Sequence, residues 1–228
     1  MKNLIVTFTN LKGGTGKTTL CSLFATYCVE QGLPVVVLDA DTQLSLRKNR
    51  FDDLVLTKKD TPWKVFPFRV EDDTEKRFMS VKKIPGIVLV DCPGTVDKPG
   101  LKYIFSSADI AVMPFRYDRM NVRETETFAG LFQKISKASI MFLPNLVTQY
   151  DDKREAFRLA AETAKEILPK YGTLLPDIVD CVAVRDSNTL GMTYKQRFAV
   201  RNAFNEIINE INKLIKEYKL WQRNASMS

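Results

Sequence analysis

The stretch Leu4-Ile5-Val6-Thr7-Phe8-Thr9-Asn10-Leu11-Lys12-Gly13-Gly14-Thr15-Gly16-Lys17-Thr18-Thr19 decides the fold. Leu4 to Phe8 read as a buried strand, the glycines after it free the backbone from the limits a Cβ imposes, and Thr18 to Gln31 has helical spacing. Strand, glycine turn and helix in that order make a phosphate cradle: consecutive N–H groups turn inward, and the helix aims the positive end of its dipole at the same charge. Lys17 is placed to reach the β- and γ-phosphates of ATP and the Thr18 hydroxyl to take a position on Mg²⁺, with Gly13, Gly14, Thr15, Gly16 and Thr19 completing the nucleotide-binding turn. A glycine-rich turn that binds nothing is the bland alternative, and the Gly-Lys-Thr ending with correct flanks argues against it.

Outward from the cradle, short apolar runs alternate with helical patterns. Strands are expected over Leu4 to Phe8, Val35 to Asp39, Ile87 to Asp91, Ile110 to Phe115, Ile140 to Leu146 and Ile178 to Val184. Their near-continuous hydrophobicity suits strands covered on both faces. Trp63 to Val70 adds a candidate edge strand, since Pro62 and Pro67 fit poorly in a sheet centre. Helices are expected over Thr18 to Gln31, Asn121 to Ile135, Asp152 to Leu168 and Arg197 to Trp221. The charged, weakly periodic stretch Leu44 to Lys83 reads as variable, partner-facing structure. The fold class that follows is α/β: a P-loop NTPase with a mostly parallel twisted sheet flanked by helices on both faces, in a single domain over residues 1–228.

Composition narrows the chemistry. Apolar residues make up 45% and charged residues 27%, the balance of a packed globular protein. No apolar run is long enough to span a bilayer and no secretory leader pattern opens the chain, so a cytoplasmic protein is expected. Without histidine there is no zinc site of the usual kind and no Ser-His or Cys-His nucleophile, which leaves hydrolysis to metal, lysine and carboxylates. Cys21, Cys28, Cys92 and Cys181 form no C-x-x-C pair and read as reduced core residues. Net charge is +7, and from Lys195 onward seven basic residues face three acidic ones. That excess permits a polyanionic partner.

Lys12-Gly13-Gly14-Thr15-Gly16-Lys17-Thr18-Thr19, with its second lysine, resembles the deviant Walker A motif of the ParA/MinD family of partitioning and placement ATPases. The resemblance implies that Lys12 reaches across a two-fold interface to the nucleotide of a partner subunit, so that ATP holds a sandwich dimer together. Leu38-Asp39-Ala40-Asp41-Thr42-Gln43 looks like the family's Asp-x-Asp-Pro-Gln element with Thr42 in place of proline. By that match Asp41 positions the attacking water and Asp39 supports the Mg²⁺ shell; a pair of solvated turn aspartates is the plainer alternative. Ile87 to Asp91 has the form of a Walker B strand whose terminal Asp91 holds Mg²⁺ through water. Cys92-Pro93-Gly94 resembles the loop whose glycine N–H senses the γ-phosphate.

Asn145 resembles the asparagine that the family sets against adenine, though a turn or capping asparagine fits equally. Val184 to Gly191 is similar to the loop that closes over the base, which makes Asp186 a base-contact candidate. Phe204, Ile207, Ile208, Ile211, Leu214, Ile215, Tyr218 and Trp221 keep helical spacing and mark a helix laid on the sheet. Lys195, Arg197, Arg201, Lys213, Lys216 and Lys219 lie on its other faces: a solvated surface, or a DNA-binding edge as in ParA-type relatives. The polar tail Arg223 to Ser228 and the interspersed glutamates argue against a membrane-binding helix of the MinD type.

Read through the resemblance, the chain looks like a short ParA, starting too near its phosphate loop for a helix-turn-helix domain ahead of it. The implied function is ATP-driven segregation or positioning of a plasmid, chromosome or mobile element by a homodimer on non-specific DNA, stimulated by a ParB-like adaptor and nucleoid-associated. A MinD-like placement ATPase and a metabolic ligase of the dethiobiotin-synthetase type remain as rivals, and a related tyrosine kinase is disfavoured for want of a C-terminal tyrosine cluster.

Overall fold

The computed structural model describes residues 3–58, 61–70, 74–95, 97–148 and 151–225. Seven strands, β1 (Leu4–Phe8), β2 (Val35–Asp39), β3 (Lys64–Pro67), β4 (Ile87–Asp91), β5 (Ile110–Phe115), β6 (Ser139–Pro144) and β7 (Thr173–Leu174), form one sheet in the order β3-β2-β4-β1-β5-β6-β7. Every pairing is parallel. Parallel neighbours need crossovers, and the helices that supply them cover both faces.

Alternation along β1 divides the core in two. Leu4, Val6 and Phe8 point to one face, where they meet α1 (Lys17–Glu30) and α8 (Tyr194–Ala225), joined by Leu46 of α2 (Ser45–Thr57) and Val184 of α7 (Val182–Arg185). Ile5 points to the other face, into a core shared by α3 (Thr74–Val81), α4 (Leu101–Ser107), α5 (Arg119–Gln133) and α6 (Glu155–Ile167). Phe204 anchors α8 on α1 through edge-on contact with Phe24, ring centroids 5.1 Å apart, and with Tyr27 at 5.6 Å. A buried side chain of that size contributes about 1.5–3 kcal/mol by burial alone.

The expectations for β1, β2, β4 and β5 agree with the strands observed, and the Trp63 to Val70 segment does supply an edge strand, with Pro67 as its last residue. Ile178 to Val184 is not a strand. The final strand is Thr173–Leu174, Val179 makes only a lone bridge to Val147, and Val182 is already helical. Asp180 interrupts the apolar run: its N–H still bonds Val147 O at 2.8 Å, but its carboxylate pairs with Arg185 at 3.3 Å as the chain turns into α7. β6 stops at Pro144, so Asn145 and Leu146, the latter at φ 60°, lie beyond it. The Leu44 to Lys83 stretch carries two helices, α2 and α3, on either side of β3 in the chain. In α2 only Leu46 and Arg50 are buried, too few to produce a helical stripe.

Candidate functional site

β1 is central, and the chain leaves its carboxyl end into the glycine turn, the position where parallel α/β sheets bind ligands. Gly14 and Gly16 adopt φ of 71° and 90°, left-handed values that bring their neighbours' N–H groups round. Gly16 is also the N-cap of α1 and offers no side chain to its first-turn N–H groups, which therefore stay available to an anion. Asn145 Nδ2 donates to Thr15 O at 2.9 Å, and a Cβ on Gly16 would collide with that amide. Only glycine permits this closeness.

Beneath the cradle stand two carboxylates. Parallel pairing puts Asp39 and Asp91 in register at the ends of β2 and β4, with Phe8 opposite Asp91 on β1. Both are fully buried. Neither oxygen of Asp91 has a hydrogen-bond partner, nor has Asp39 Oδ1; Asp39 Oδ2 accepts from Arg47 N–H at 3.0 Å, at the start of α2. Burial pushes the Asp91 carboxyl up to about 7, with the nearby Thr18 hydroxyl and Lys17 partly restoring its charged form. Asp39 is raised as well, by burial first and against the pull of the Arg47 N–H. Unpartnered buried oxygens on a hard-ligand set, beside a threonine hydroxyl, fit Mg²⁺. Among the described residues no three His, Cys, Asp or Glu converge as a protein-only cage, in keeping with an ion that takes its remaining ligands from water and phosphate.

Lys17 is 9% exposed, and its Nζ donates to Lys12 O at 3.0 Å. Burial lowers its pKa while Asp91, Cys92 and Asp41 hold the charge in place. A methyl on Gly94 would sit 3.4 Å from Lys17 Nζ, so the β4–α4 loop closes over the same ammonium. Asp41 Oδ1 accepts from Gln43 N–H at 2.9 Å, an Asx turn that rigidifies the segment where Thr42 replaces proline. Lys12 faces α5, where its Nζ is 3.4 Å from Glu124 Oε1.

Residues 6–191 match the CobQ/CobB/MinD/ParA nucleotide binding domain family. The chain belongs to this family. Solved structures of the CobQ/CobB/MinD/ParA fold superpose along most of its length. Among them are an ATP complex of Cyanothece McdA (15% identity, 93% of this chain and 96% of that one, TM-score 0.69) and MinD of Aquifex aeolicus (19%, 90% and 97%, TM-score 0.71). A plasmid partition protein of Borrelia burgdorferi is similar too (14%, 92% and 100%, TM-score 0.69). No curated protein sequence matches this chain at a significant level.

In this member of the CobQ/CobB/MinD/ParA family Lys12, Gly13 to Thr19, Asp39, Asp41, Asp91, Gly94 and Asn145 gather at one end of the sheet, Asn145 buried with its Oδ1 unpartnered. Asp186 does not join them: it caps α7 and is exposed. Along α8, Lys195, Arg201, Lys213, Lys216 and Lys219 are exposed, whereas Arg197 turns back to Glu30 of α1 with bonds of 3.0 and 2.8 Å. Lys213 pairs with Glu210 at 3.4 Å and the Arg201 guanidinium lies 4.8 Å from the Phe198 ring. The side chains of Trp221 and Arg223 lie outside the described residues. No described helix is long and apolar enough to cross a membrane.

Several residues at the site escaped the sequence reading. Asn10 is buried, and its Nδ2 donates to Pro114 O and Thr125 Oγ1, both at 2.9 Å, tying the cradle's approach to β5 and α5. A lone asparagine after a strand carries no pattern, so only its burial reveals it. Glu124 is likewise one carboxylate on an otherwise ordinary helix. Away from the cradle, Arg50 and Asp53, one turn apart on α2, meet Thr189, 139 and 136 residues further along the chain, only through the fold.

Proposed function

We propose that this chain is a ParA-like ATPase that dimerises on ATP, attaches to DNA without sequence preference and positions a plasmid, chromosome or mobile element, with a ParB-like adaptor stimulating hydrolysis. The observation that carries this reading is the pair Lys12 and Lys17 on one glycine cradle, above the buried Asp39 and Asp91, whose Oδ1 and whose two oxygens respectively lack a partner. The Cyanothece McdA structure similar to this one contains ATP.

Phosphoryl transfer to water asks the protein mainly for positioning and charge neutralisation. The N–H groups from Gly13 to Thr19 hold the phosphates, and Lys17 follows the γ-phosphate as charge builds on the leaving oxygen. Gly94 N–H reports whether that phosphate is present. Asp91, Asp39 and Thr18 would hold Mg²⁺, which neutralises phosphate charge when bound. Asp41 orients the attacking water, and Asn145 Oδ1 accepts a hydrogen bond from the adenine amine. Lys12 reaches the partner subunit's nucleotide, so the dimer lasts only as long as ATP does. The unit is one domain, cytoplasmic and nucleoid-associated, and the outward face of α8 with Lys195, Arg201, Lys213, Lys216 and Lys219 meets DNA phosphates.

The test is co-sedimentation with plasmid DNA and with anionic liposomes in ATP, ADP and no nucleotide across a salt series. ATP-dependent, salt-sensitive DNA binding is expected. Liposome binding alone would favour a MinD-like placement ATPase, and ATP turnover with neither would favour a small-molecule ligase.

A further inference from the structure

The two halves of α8 present different surfaces. In the second half the exposed cations are Lys213, Lys216 and Lys219, and the ring among them, Tyr218, is half-buried. In the first half two rings stand in solvent: Tyr194 is 76% exposed and Phe198 59%. They are four residues apart on the helix and so share a face, with Lys195, Arg201 and Asn202 bordering the same stripe. That stripe is one wall of a groove of about 540 Å³, and the 177–183 segment, with Val179, Val182 and Ala183, is the other. Val179 and Val182 are exposed as well. Exposed apolar side chains gathered in one place and rimmed by polar ones mark a binding surface.

Ring geometry narrows the kind of ligand. Every other ring pair among the described residues is tilted or edge-on, with interplanar angles from 49° to 85°, the arrangement that packs a core. Tyr194 and Phe198 are stacked instead, with centroids 6.4 Å apart and planes 30° apart. Open, near-parallel ring faces are what nucleobases stack on, because every base has a π-face of its own. The Arg201 guanidinium lies 4.8 Å from the Phe198 centroid, so ring and cation are offered together, one for a base and one for its phosphate. The acidic residue among the described residues lining the groove is Asp177, which accepts from the Tyr117 hydroxyl at 2.9 Å. Lys195 and Arg201 outnumber it, which suits an anionic strand. From Tyr194 to Asn202 the helix rises about 12 Å, enough to follow a short run of nucleotides.

We propose that Tyr194 and Phe198, with Lys195 and Arg201, form a stacking site for unpaired bases, so that the first half of α8 binds single-stranded nucleic acid. This rests on the nucleic-acid reading of α8 above and gives that helix a second substrate class. In a duplex the bases cover one another and offer no free face to the rings, which leaves duplex DNA to the lysines and their phosphate contacts.

The experiment titrates full-length wild type, the double variant Tyr194→Leu/Phe198→Leu and Phe198→Tyr, with ATP and Mg²⁺, against three fluorescent probes of equal length read by anisotropy. The probes are an oligo-dT single strand, an abasic strand that keeps the phosphates without the bases, and a mixed-sequence duplex. Wild type is expected to bind oligo-dT at least about tenfold more tightly than the abasic strand. The double variant is expected to lose about tenfold on oligo-dT and to stay within about twofold on the abasic strand and the duplex, while Phe198→Tyr, which keeps the ring, matches wild type. Equal binding of oligo-dT and the abasic strand by wild type, an unchanged oligo-dT affinity in the double variant, or equal losses on all three probes would overturn the proposal and turn the groove over to a protein partner. Duplex binding by wild type in any of those cases leaves the DNA reading of α8 standing, whereas wild type that binds none of the three probes would overturn that reading too.

Discussion

Lys12 Nζ lies 3.4 Å from Glu124 Oε1 of the same chain, with both side chains about one-third exposed (35% and 38%). The lysine proposed to act on a partner's nucleotide thus has a resting place on its own α5. A partly exposed ion pair of this kind is worth about 0.2–1 kcal/mol, enough to delay the ammonium and too little to retain it against a triphosphate. Glu124→Gln is expected to tighten the ATP-dependent dimer by roughly two- to fivefold, read as a monomer–dimer constant by analytical ultracentrifugation. Lys12→Ala should keep nucleotide binding and lose the ATP-dependent dimer. Dimers of that variant in light scattering would sink the sandwich.

Lys17→Ala removes the buried ammonium that touches the cradle at Lys12 O and faces Gly94. ATP affinity is expected to fall at least about a hundredfold, since the phosphates lose a desolvated cation and keep only N–H donors. Calorimetry with unchanged affinity would refute the site.

Asp91 is raised to about 7 by burial. Its folded pKa is above its unfolded one, so in metal-free protein its contribution to stability is fully present below the unfolded value near 4 and is lost as pH rises through about 7. Asp91→Asn should therefore stabilise the protein in EDTA at pH 8, by on the order of a few kcal/mol at most, with the gain shrinking toward pH 5. Thermal melts across that range check the sign. Mg²⁺ should stabilise wild type at pH 8 and not the variant.

Asp41→Ala is expected to bind ATP and release phosphate at a few per cent of the wild-type rate or less, a loss of about 2 kcal/mol or more in barrier lowering. Single-turnover phosphate release measures it. A normal rate would leave the carboxylate only its bond to Gln43 N–H.

Lys216→Ala, on the outward face of α8, should weaken DNA binding evenly across sequences and reduce the slope of log affinity against log salt by about 1. Arg197→Ala should change that slope less, because Arg197 is committed to Glu30. Equal effects would contradict that division of the helix.

The central architecture was legible because its signals are local. Leu4 to Phe8, Val35 to Asp39 and Ile87 to Asp91 each combine an apolar run with a functional end, and the parallel register then aligns those ends without further information. Ile178 to Val184 misled because it has the composition of a strand throughout, whereas only Ile178 to Asp180 bond across to the 144–147 segment and Val184 N–H already turns back to Cys181 O. α2 was hidden for a different reason. Its buried side is a leucine and an arginine, and an arginine counts as polar in any pattern until Trp63 and Thr189 are seen to surround it. Asp186, chosen by analogy along one loop, sits on the solvent side, while the residue of that loop which the fold grips is Thr189.

Asn145 bonded to Thr15 O, with no space for a side chain on Gly16, means that the cradle borrows its shape from the residue just after β6 as well as from its own glycines. Other elements set its rim: the Lys12 ammonium held toward Glu124 of α5 and the β4–α4 loop at Gly94.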